Sequence, residues 1–234
     1  MTEQPTQASQ FDAYAGSYDE AVNKSLGFLG VKVDYFTRVK AGYLLDLLAA
    51  HFGRVEDLRL LDVGCGVGNY HALLDGRLGA ISGTDVSPAC VAEAAARNPG
   101  VAYQPYDGER LPYAEASFDA VVTICVMHHV PPPQWPMFAA EMKRVLRPGG
   151  LAVVFEHNPI NPLTQRVVSN CEFDADAVLL KQGETRRLLE GAGFGKVASR
   201  SILSLPSFGP VTRKFDLAFG RLPLGAQYFA SGVA

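Results

Sequence analysis

Hydrophobic residues recur along most of this chain in two alternating patterns. Short runs that are apolar on both faces, such as LRLLDV at 58–63 and FDAVVTICV at 118–126, predict buried strands. Segments with apolar residues three and four apart lie between them and predict helices, such as SPACVAEAAARN at 87–98. Ser87 is the expected N-cap of that helix, with Pro88 in its first turn. This alternation indicates a parallel sheet with helices on both faces.

The whole pattern predicts an α/β fold. We expect a doubly wound, Rossmann-like, mostly parallel sheet of seven strands, with an antiparallel hairpin at one edge. The hairpin is expected from the late runs KVASRSI and GAQYFASGV, which we predict to be joined by a long loop. The predicted division of the chain is a disordered tail at 1–10, an N-terminal helical cap at 11–53 and the main domain at 54–234, with an insertion at 158–182 that shapes the substrate site.

Composition narrows the function classes. The net charge of −3 provides no basic surface for a phosphate backbone, so nucleic acid is not an expected partner. No apolar run reaches the roughly 20 residues that a spanning helix needs, and the N-terminus resembles no secretion signal. The four cysteines are far apart, form no CxxC pair and have few histidines nearby, which argues against zinc and against a disulfide framework. We therefore expect a cytoplasmic protein that is not attached to a membrane, either a monomer or a homodimer.

The stretch LLDVGCGVGNY at 60–70 has glycines at three alternate positions, directly after a predicted strand. Gly64 and Gly66 would allow a tight turn and close approach of a ligand, and Gly68 would let the next helix pack onto the strand. A dinucleotide loop needs the spacing GxGxxG, which Asn69 interrupts. Asp62 stands before the first glycine, where it would repel a pyrophosphate but suits an ammonium group.

With its companions, DVGCGVG resembles the cofactor signature of class I S-adenosylmethionine-dependent methyltransferases. The companions are the acidic residue of SGTDVSP, the block YDGERLPYAEASFDAVV, and MKRVLRPGG before the fifth strand; the similarity extends over about 11–194. FDAYAGSYDE resembles the N-terminal lid of that family. The resemblance implies S-adenosylmethionine as cofactor, S-adenosylhomocysteine as product, and these cofactor-binding residues: Tyr14, Tyr18, Asp62, Gly64, Cys65, Gly66, Asp85, Val86, Asp107, Gly108, Ile124 and Cys125.

Methyl transfer from a sulfonium is an in-line displacement, for which a protein supplies alignment and a dry site. A hydroxyl acceptor also requires a general base, and histidine has a suitable pKa. His157, after the fifth strand, is our first candidate, and His129, after the fourth, is the second. Glu156 and His157 should point to opposite faces of their strand, so at most one of them should reach the pocket directly.

The expected activity is therefore methyl transfer to a small-molecule acceptor. The alternative is a protein of the same fold that binds the cofactor without turnover. A DNA methyltransferase would need the tetrapeptide [DN]PP[YF] after the fourth strand, where this chain has HHVPPPQW. An NAD-dependent oxidoreductase is disfavoured by the glycine spacing. A metal-dependent transferase would need carboxylates after the fourth strand, and TICVMHHV contains none, so we expect no metal.

Overall fold

The computed structural model describes residues 11–12, 16, 18–27, 30, 32–204 and 209–234. These residues form one sheet of seven strands in the order β3-β2-β1-β4-β5-β7-β6, of which only β7 runs antiparallel to its neighbours. The strands are β1 (Arg59–Val63), β2 (Ala80–Asp85), β3 (Ala102–Pro105), β4 (Phe118–Ile124), β5 (Leu146–His157), β6 (Gly195–Ile202) and β7 (Gln227–Val233). The predicted fold class and the antiparallel edge pair β6–β7 are confirmed.

Helices cover both faces of the sheet. They are α1 (Tyr18–Leu26), α2 (Val33–Phe52), α3 (His71–Leu74), α4 (Pro88–Arg97), α5 (Trp135–Val145), α6 (Pro162–Ser169), α7 (Gln182–Gly191) and α8 (Pro210–Phe219), with short 3-10 turns at Pro132–Gln134 and Glu172–Asp174. Ser87 caps α4 as predicted, because its side chain accepts a hydrogen bond from the backbone N–H of Cys90. None of the helices in the described ranges has the length and apolar character needed to cross a bilayer.

The core is divided between the two faces because side chains alternate along each strand. Leu60 and Val122 pack with Tyr43 of α2 on one face. Leu61 and Val121, their immediate neighbours in sequence, pack with helices α5 and α7 on the other face. β4 is buried along its whole length, as a strand covered on both sides must be.

One prediction about the end of the chain is wrong. The connection between β6 and β7 is not the predicted plain loop, because it contains helix α8. β7 lies between β5 and β6, so β6 is the outermost strand of the antiparallel edge pair. The apolar residues Val211, Phe215 and Phe219 of α8 are exposed, whereas Asp216 is fully buried. This inverts the usual arrangement of an amphipathic helix. The apolar residues recur every four positions, a helical spacing that the prediction of a plain loop overlooked.

The order of the strands places the glycine stretch at a specific point of the sheet. β1 pairs with β2 on one side and with β4 on the other, so the chain leaves the centre of the sheet in opposite directions there. The loops at the carboxyl ends of these strands diverge and open a crevice, which is where ligands bind in open α/β sheets.

Candidate active site

A cavity of about 670 Å³ lies at the carboxyl ends of the parallel strands, beneath α1, α2 and α6. Twelve of the fourteen predicted site residues line this one cavity. They are Asp62, Gly64, Cys65, Gly66, Asp85, Val86, Asp107, Gly108, Ile124, Cys125, His129 and His157. Tyr14 lies outside the described residues, and Tyr18 is described only through its backbone. Phe11, from the same N-terminal segment, does line the cavity. The fold therefore gathers at one place residues that span 96 positions of sequence, from Asp62 to His157 (157 − 62 + 1).

The three glycines of the loop have positive φ angles of 76°, 51° and 74°, and their surroundings differ. A Cβ on Gly64 would lie 2.5 Å from the side chain of Val126, whereas a Cβ on Gly66 would meet no atom within 4 Å. A Cβ on Gly68 would lie 2.7 Å from the Asn98 amide and the Tyr103 hydroxyl. Gly68 thus permits close contact with β3 and the end of α4, not only packing of the following helix as predicted. Gly66 faces open space in the cavity.

Asp62 presents a free acceptor to the cavity. Its side chain is only 3% exposed, and its Oδ2 accepts a hydrogen bond from Nε2 of His71 at 3.1 Å. His71 in turn contacts the hydroxyl of Tyr103, so the ring is held from both nitrogens. Oδ1 of Asp62 has no hydrogen-bond partner among the described residues. A buried carboxylate oxygen without a partner is costly, so this atom suits a ligand that brings a donor, an ammonium group above all.

Asp85 ties the two loops of the crevice together. Its Oδ2 accepts from the backbone N–H of Gly66 at 2.8 Å and its Oδ1 accepts from that of Ser87 at 3.0 Å. Burial raises the pKa of Asp85, while these backbone donors act against the rise. Each carboxylate oxygen retains a further lone pair, so Asp85 can still accept hydrogen bonds from ligand hydroxyls.

Asp107 and Gly108 form a turn at the third side of the cavity. Oδ1 of Asp107 accepts from the backbone N–H groups of Glu109 and Arg110, at 2.8 and 2.9 Å. These two hydrogen bonds lower the pKa of Asp107, which is exposed. Gly108 has a φ of 84°, a left-handed conformation that a side chain would strain. The turn is therefore preformed.

Lys40 is a site residue that sequence reasoning missed. It reaches the cavity from α2, is 5% exposed, and places its Nζ 3.3 Å from Sγ of Cys125 and 5.6 Å from the centre of the Tyr70 ring. The available signal was a charged residue on the apolar face of α2, between Val39 and Tyr43. A buried ammonium without a carboxylate partner favours an anionic ligand.

Cys125 is held in an unusual environment at the end of β4. Its φ of 58° is in the left-handed region, which residues other than glycine seldom adopt outside functional sites. Burial acts to raise the pKa of the thiol, but the nearby Lys40 and His157 outweigh it and lower this pKa to about 7. The cavity therefore contains a thiol whose ionisation is favoured by neighbouring positive charge.

Three histidines that line the cavity lie close to one another. The His128 ring lies 4.2 Å from that of His129 and 5.2 Å from that of His157, centre to centre. Nδ1 of His157 lies 3.4 Å from the side-chain amide of Gln227. Glu156 points away from the cavity, as strand alternation predicts, and its Oε2 contacts Nδ1 of His128 at 2.5 Å.

Asp174, from the 3-10 turn in the predicted insertion, joins this group. Its Oδ1 lies 3.3 Å from Nε2 of His129 and 3.6 Å from Nε2 of His128. Burial opposes ionisation of Asp174, but contacts with the two histidines hold its pKa well below the usual range. Burial also opposes charge on His128, yet Glu156 and Asp174 raise its pKa to about 10, whereas burial lowers the pKa of His129. No sequence signal tied Asp174 to the histidines.

The comparisons with known proteins agree on one family. Residues 61–154 match the family described as methyltransferase domain. The chain is 36% identical, over 64% of its length and 57% of the relative, to a demethylmenaquinone methyltransferase of Beutenbergia cavernae. It is 32% identical, over the same shares, to a phthiotriol/phenolphthiotriol dimycocerosates methyltransferase of Mycobacterium leprae.

A solved structure extends the likeness to nearly the whole fold. The crystal structure of an S-adenosylmethionine-dependent methyltransferase from Thermotoga maritima matches with a TM-score of 0.68 and 19% identity, over 97% of this chain and 99% of that one. At this identity the match shows the fold alone. The chain spans only about half the length of the curated relatives named above.

Proposed function

Because this chain belongs to the class I S-adenosylmethionine-dependent methyltransferases, we propose that it transfers a methyl group from that cofactor to a small-molecule acceptor. The observation that carries the proposal is a single cavity lined by two chemically different groups of residues. One group is the glycine loop with Asp62 and Asp85, and the other is three histidines. The cofactor, when bound, supplies a methyl group on a positively charged sulfur; the protein's task is to bind, align and exclude water.

The part of the cavity lined by the glycine loop, Asp62 and Asp85 fits a zwitterionic nucleoside. Asp62, with its unpartnered Oδ1, would accept from the ammonium of the amino-acid tail, and Lys40 would pair with the carboxylate of the same tail. Asp85 would accept from the ribose hydroxyls, and the preformed turn at Asp107 and Gly108 would border the adenine. The open face of Gly66 leaves room for the cofactor beside the backbone. The family resemblance and these unsatisfied groups support the same placement.

The acceptor would occupy the part of the cavity lined by the histidines. The cavity walls include apolar side chains from α1, α2 and α6, among them Leu26, Phe36 and Val167. The two relatives are named for demethylmenaquinone and for phthiotriol dimycocerosates, which are largely apolar molecules. We propose an acceptor of that kind, apolar with a polar group at the reacting end, because such walls favour burial of apolar surface.

His157 is the proposed general base for a hydroxyl acceptor. If the Gln227 amide presents its oxygen to Nδ1–H of His157, the ring keeps a lone pair on Nε2 for the acceptor's proton. That orientation would also give a partner to Oε1 of Gln227, which is buried and has none among the described residues. His129 remains the second candidate, because its Nε2 is engaged with Asp174.

The test combines binding and turnover. We expect micromolar binding of S-adenosylhomocysteine in calorimetry, no heat with NAD, and methyl transfer from the cofactor to quinol or phenolic lipids, followed by mass spectrometry. His157→Ala should keep the affinity for S-adenosylhomocysteine and lower turnover about 100-fold, the usual contribution of a general base. His51→Ala is the matched control, because His51 lies on the surface near Gly149.

Each result has a distinct meaning. Binding of S-adenosylhomocysteine without transfer to any acceptor would favour the non-catalytic alternative. Full turnover in His157→Ala would remove His157 as the base, and absence of binding in the folded protein would contradict the proposed function as a whole.

A further inference from the structure

A cluster of side chains that line the cavity has the composition of a metal site. His128 and His129 follow β4, and Asp174 comes from the 3-10 turn at Glu172–Asp174. One ligand atom from each of the three residues lies within 4.8 Å of the other two. All three side chains are largely buried and line the cavity. Backbone contacts hold the turn in place, since the N–H of Val178 donates to the carbonyl of His128 at 2.8 Å.

The spacing of these atoms suits a single ion. Zinc–nitrogen and zinc–oxygen bonds of about 2.0–2.1 Å in a tetrahedral site put neighbouring ligand atoms about 3.3 Å apart. Oδ1 of Asp174 lies 3.3 Å from one imidazole nitrogen and 3.6 Å from the other. The two imidazole nitrogens lie within 4.8 Å of each other, so a side-chain movement of at most about 1.5 Å would bring all three atoms to the tetrahedral spacing.

Glu156 supplies a second, independent observation. Histidine ligands usually donate their other ring N–H to a carboxylate, which orients the ring and raises its basicity. Glu156 is fully buried and contacts Nδ1 of His128 at 2.5 Å. Its other oxygen accepts from the backbone N–H groups of Val126 and Met127, at 3.1 and 2.8 Å. The carboxylate is thus fixed, and Nε2 of His128 faces Asp174 and the cavity.

The donor set indicates the class of ion. Two imidazoles and one carboxylate favour zinc and similar transition metals over Mg²⁺ and Ca²⁺, which prefer oxygen ligands. Three protein ligands leave at least one coordination position free, as in catalytic zinc sites. Because the cluster borders the cavity, a free position can be reached by an acceptor molecule.

We propose that His128, His129 and Asp174 bind one zinc-class divalent cation, with an open position directed to an oxygen of the acceptor. The existence of the ion site does not depend on the proposed function, because it is argued from these side chains and Glu156. The contact between the ion and the acceptor does rest on the proposed methyl transfer. This proposal departs from the sequence-based expectation that the chain uses no metal, and the experiment below tests the two against each other. The competing account is an internal hydrogen-bond chain from Glu156 to His129 that needs no ion.

The experiment uses the full chain after removal of metals with a chelator. Titration with Zn²⁺ by calorimetry, and with Co²⁺ by visible absorption, should show one ion per chain bound at micromolar concentration or tighter, with the spectrum of four-coordinate Co²⁺. Asp174→Ala and His129→Ala should each weaken binding at least 100-fold. Glu156→Gln should weaken it about 10-fold to 100-fold, as loss of an outer partner does.

Glu172→Ala is the matched control, because Glu172 is a carboxylate of the same turn but forms an exposed ion pair with Lys24. It should bind Co²⁺ as the wild type does. Absence of stoichiometric binding in the wild type, or equal binding in Asp174→Ala and Glu172→Ala, would overturn the proposal in favour of the hydrogen-bond chain.

Titration with S-adenosylhomocysteine separates this proposal from the proposed function. Cofactor binding without Co²⁺ binding would contradict the metal site and leave methyl transfer standing. Co²⁺ binding without any cofactor binding would support the metal site and contradict the proposed methyl transfer. If both bind, methyl transfer to an oxygen acceptor should fall at least 10-fold when the chelated protein is assayed, and unchanged transfer would refute the contact between ion and acceptor.

Discussion

At the scale of single residues, the cavity is governed by buried charges that lack ordinary partners. Asp62 has an unpaired oxygen, and Lys40 has a thiol where a carboxylate would be usual. Both are nearly inaccessible to water, so each loses hydration that a ligand could restore. The presence of opposite charges in the cavity matches a zwitterionic tail better than it matches a phosphate.

The Lys40–Cys125 contact can be tested through the reactivity of the thiol. Because only the thiolate is nucleophilic, alkylation of Cys125 by iodoacetamide should rise with pH and reach half its maximum near pH 7, where its pKa lies. Lys40→Met should move the midpoint upward by at least one pH unit and slow the reaction at pH 7 about 10-fold. The modified peptide can be quantified by mass spectrometry at each pH.

Lys32→Met is the control for this experiment, since Lys32 is exposed on the segment that leads into α2. Identical midpoints in the two lysine variants would show that Lys40 does not stabilise the thiolate. Saturation with S-adenosylhomocysteine should protect Cys125, because the thiol lines the same cavity.

At the scale of elements, the turn between β1 and α3 combines two roles that the sequence does not distinguish. Gly66 and Gly68 both have positive φ angles, but only the position of Gly68 is crowded by neighbouring atoms. One glycine therefore leaves space for a ligand, and the other allows the loop to pack against β3 and α4. The spacing GxGxG predicts the turn from the sequence. Only the packing around the turn shows that Gly66 and Gly68 have different roles.

Alanine at each glycine should separate these roles. Gly68→Ala should lower the free energy of unfolding by about 2–3 kcal/mol, from backbone strain and from contact with Asn98 and Tyr103. Gly66→Ala should cost only about 1 kcal/mol, from backbone strain, but weaken binding of S-adenosylhomocysteine at least 10-fold. Urea unfolding and calorimetry on both variants check this. Equal unfolding midpoints would contradict the assignment.

At the scale of the whole molecule, buried Asp216 joins the N-terminal helices to the end of the chain. The Tyr43 hydroxyl of α2 donates to it at 2.7 Å, and the backbone N–H groups of Leu203 and Ser204 donate to it at 2.6 and 2.9 Å. α2, the end of β6 and α8 thus meet at one carboxylate. Helix α2 also places Lys40 in the cavity, so the contact with Asp216 helps to hold α2 in position against the cavity.

Asp216→Ala should therefore destabilise the protein by about 3 kcal/mol, because it leaves a buried hydroxyl and two backbone donors without their acceptor. Tyr43→Phe removes one donor and should cost about 1 kcal/mol. Asp46→Ala breaks the half-exposed pair with Arg213 and should cost less than about 1 kcal/mol. The order of the three urea midpoints is the measurement, and a loss in Asp216→Ala no larger than in Asp46→Ala would contradict it.

Part of this site could be predicted because it is local in sequence. The turn 62–68, the two aspartates near the ends of β2 and β3, and the histidines near the ends of β4 and β5 all lie within a few residues of a strand's carboxyl end. Parallel strands bring these ends to one edge of the sheet. Lys40, Asp174 and Gln227 could not be found in this way. They reach the cavity from a helix, a long insertion and an antiparallel strand, whose placement depends on packing between distant segments.

The sequence by itself determined the class of fold, the position of the crevice and the chemistry of its glycine turn, because strand periodicity and turn geometry are short-range properties. The helix at 210–219 could have been predicted from its apolar residues four positions apart, but the sequence does not show that these residues are exposed and that Asp216 is buried. Only the tertiary structure decided which ionisable groups lie next to each other. Lys40 lies beside Cys125, and Asp174 lies beside His128 and His129. Such contacts depend on side-chain positions in three dimensions and leave no period along the chain.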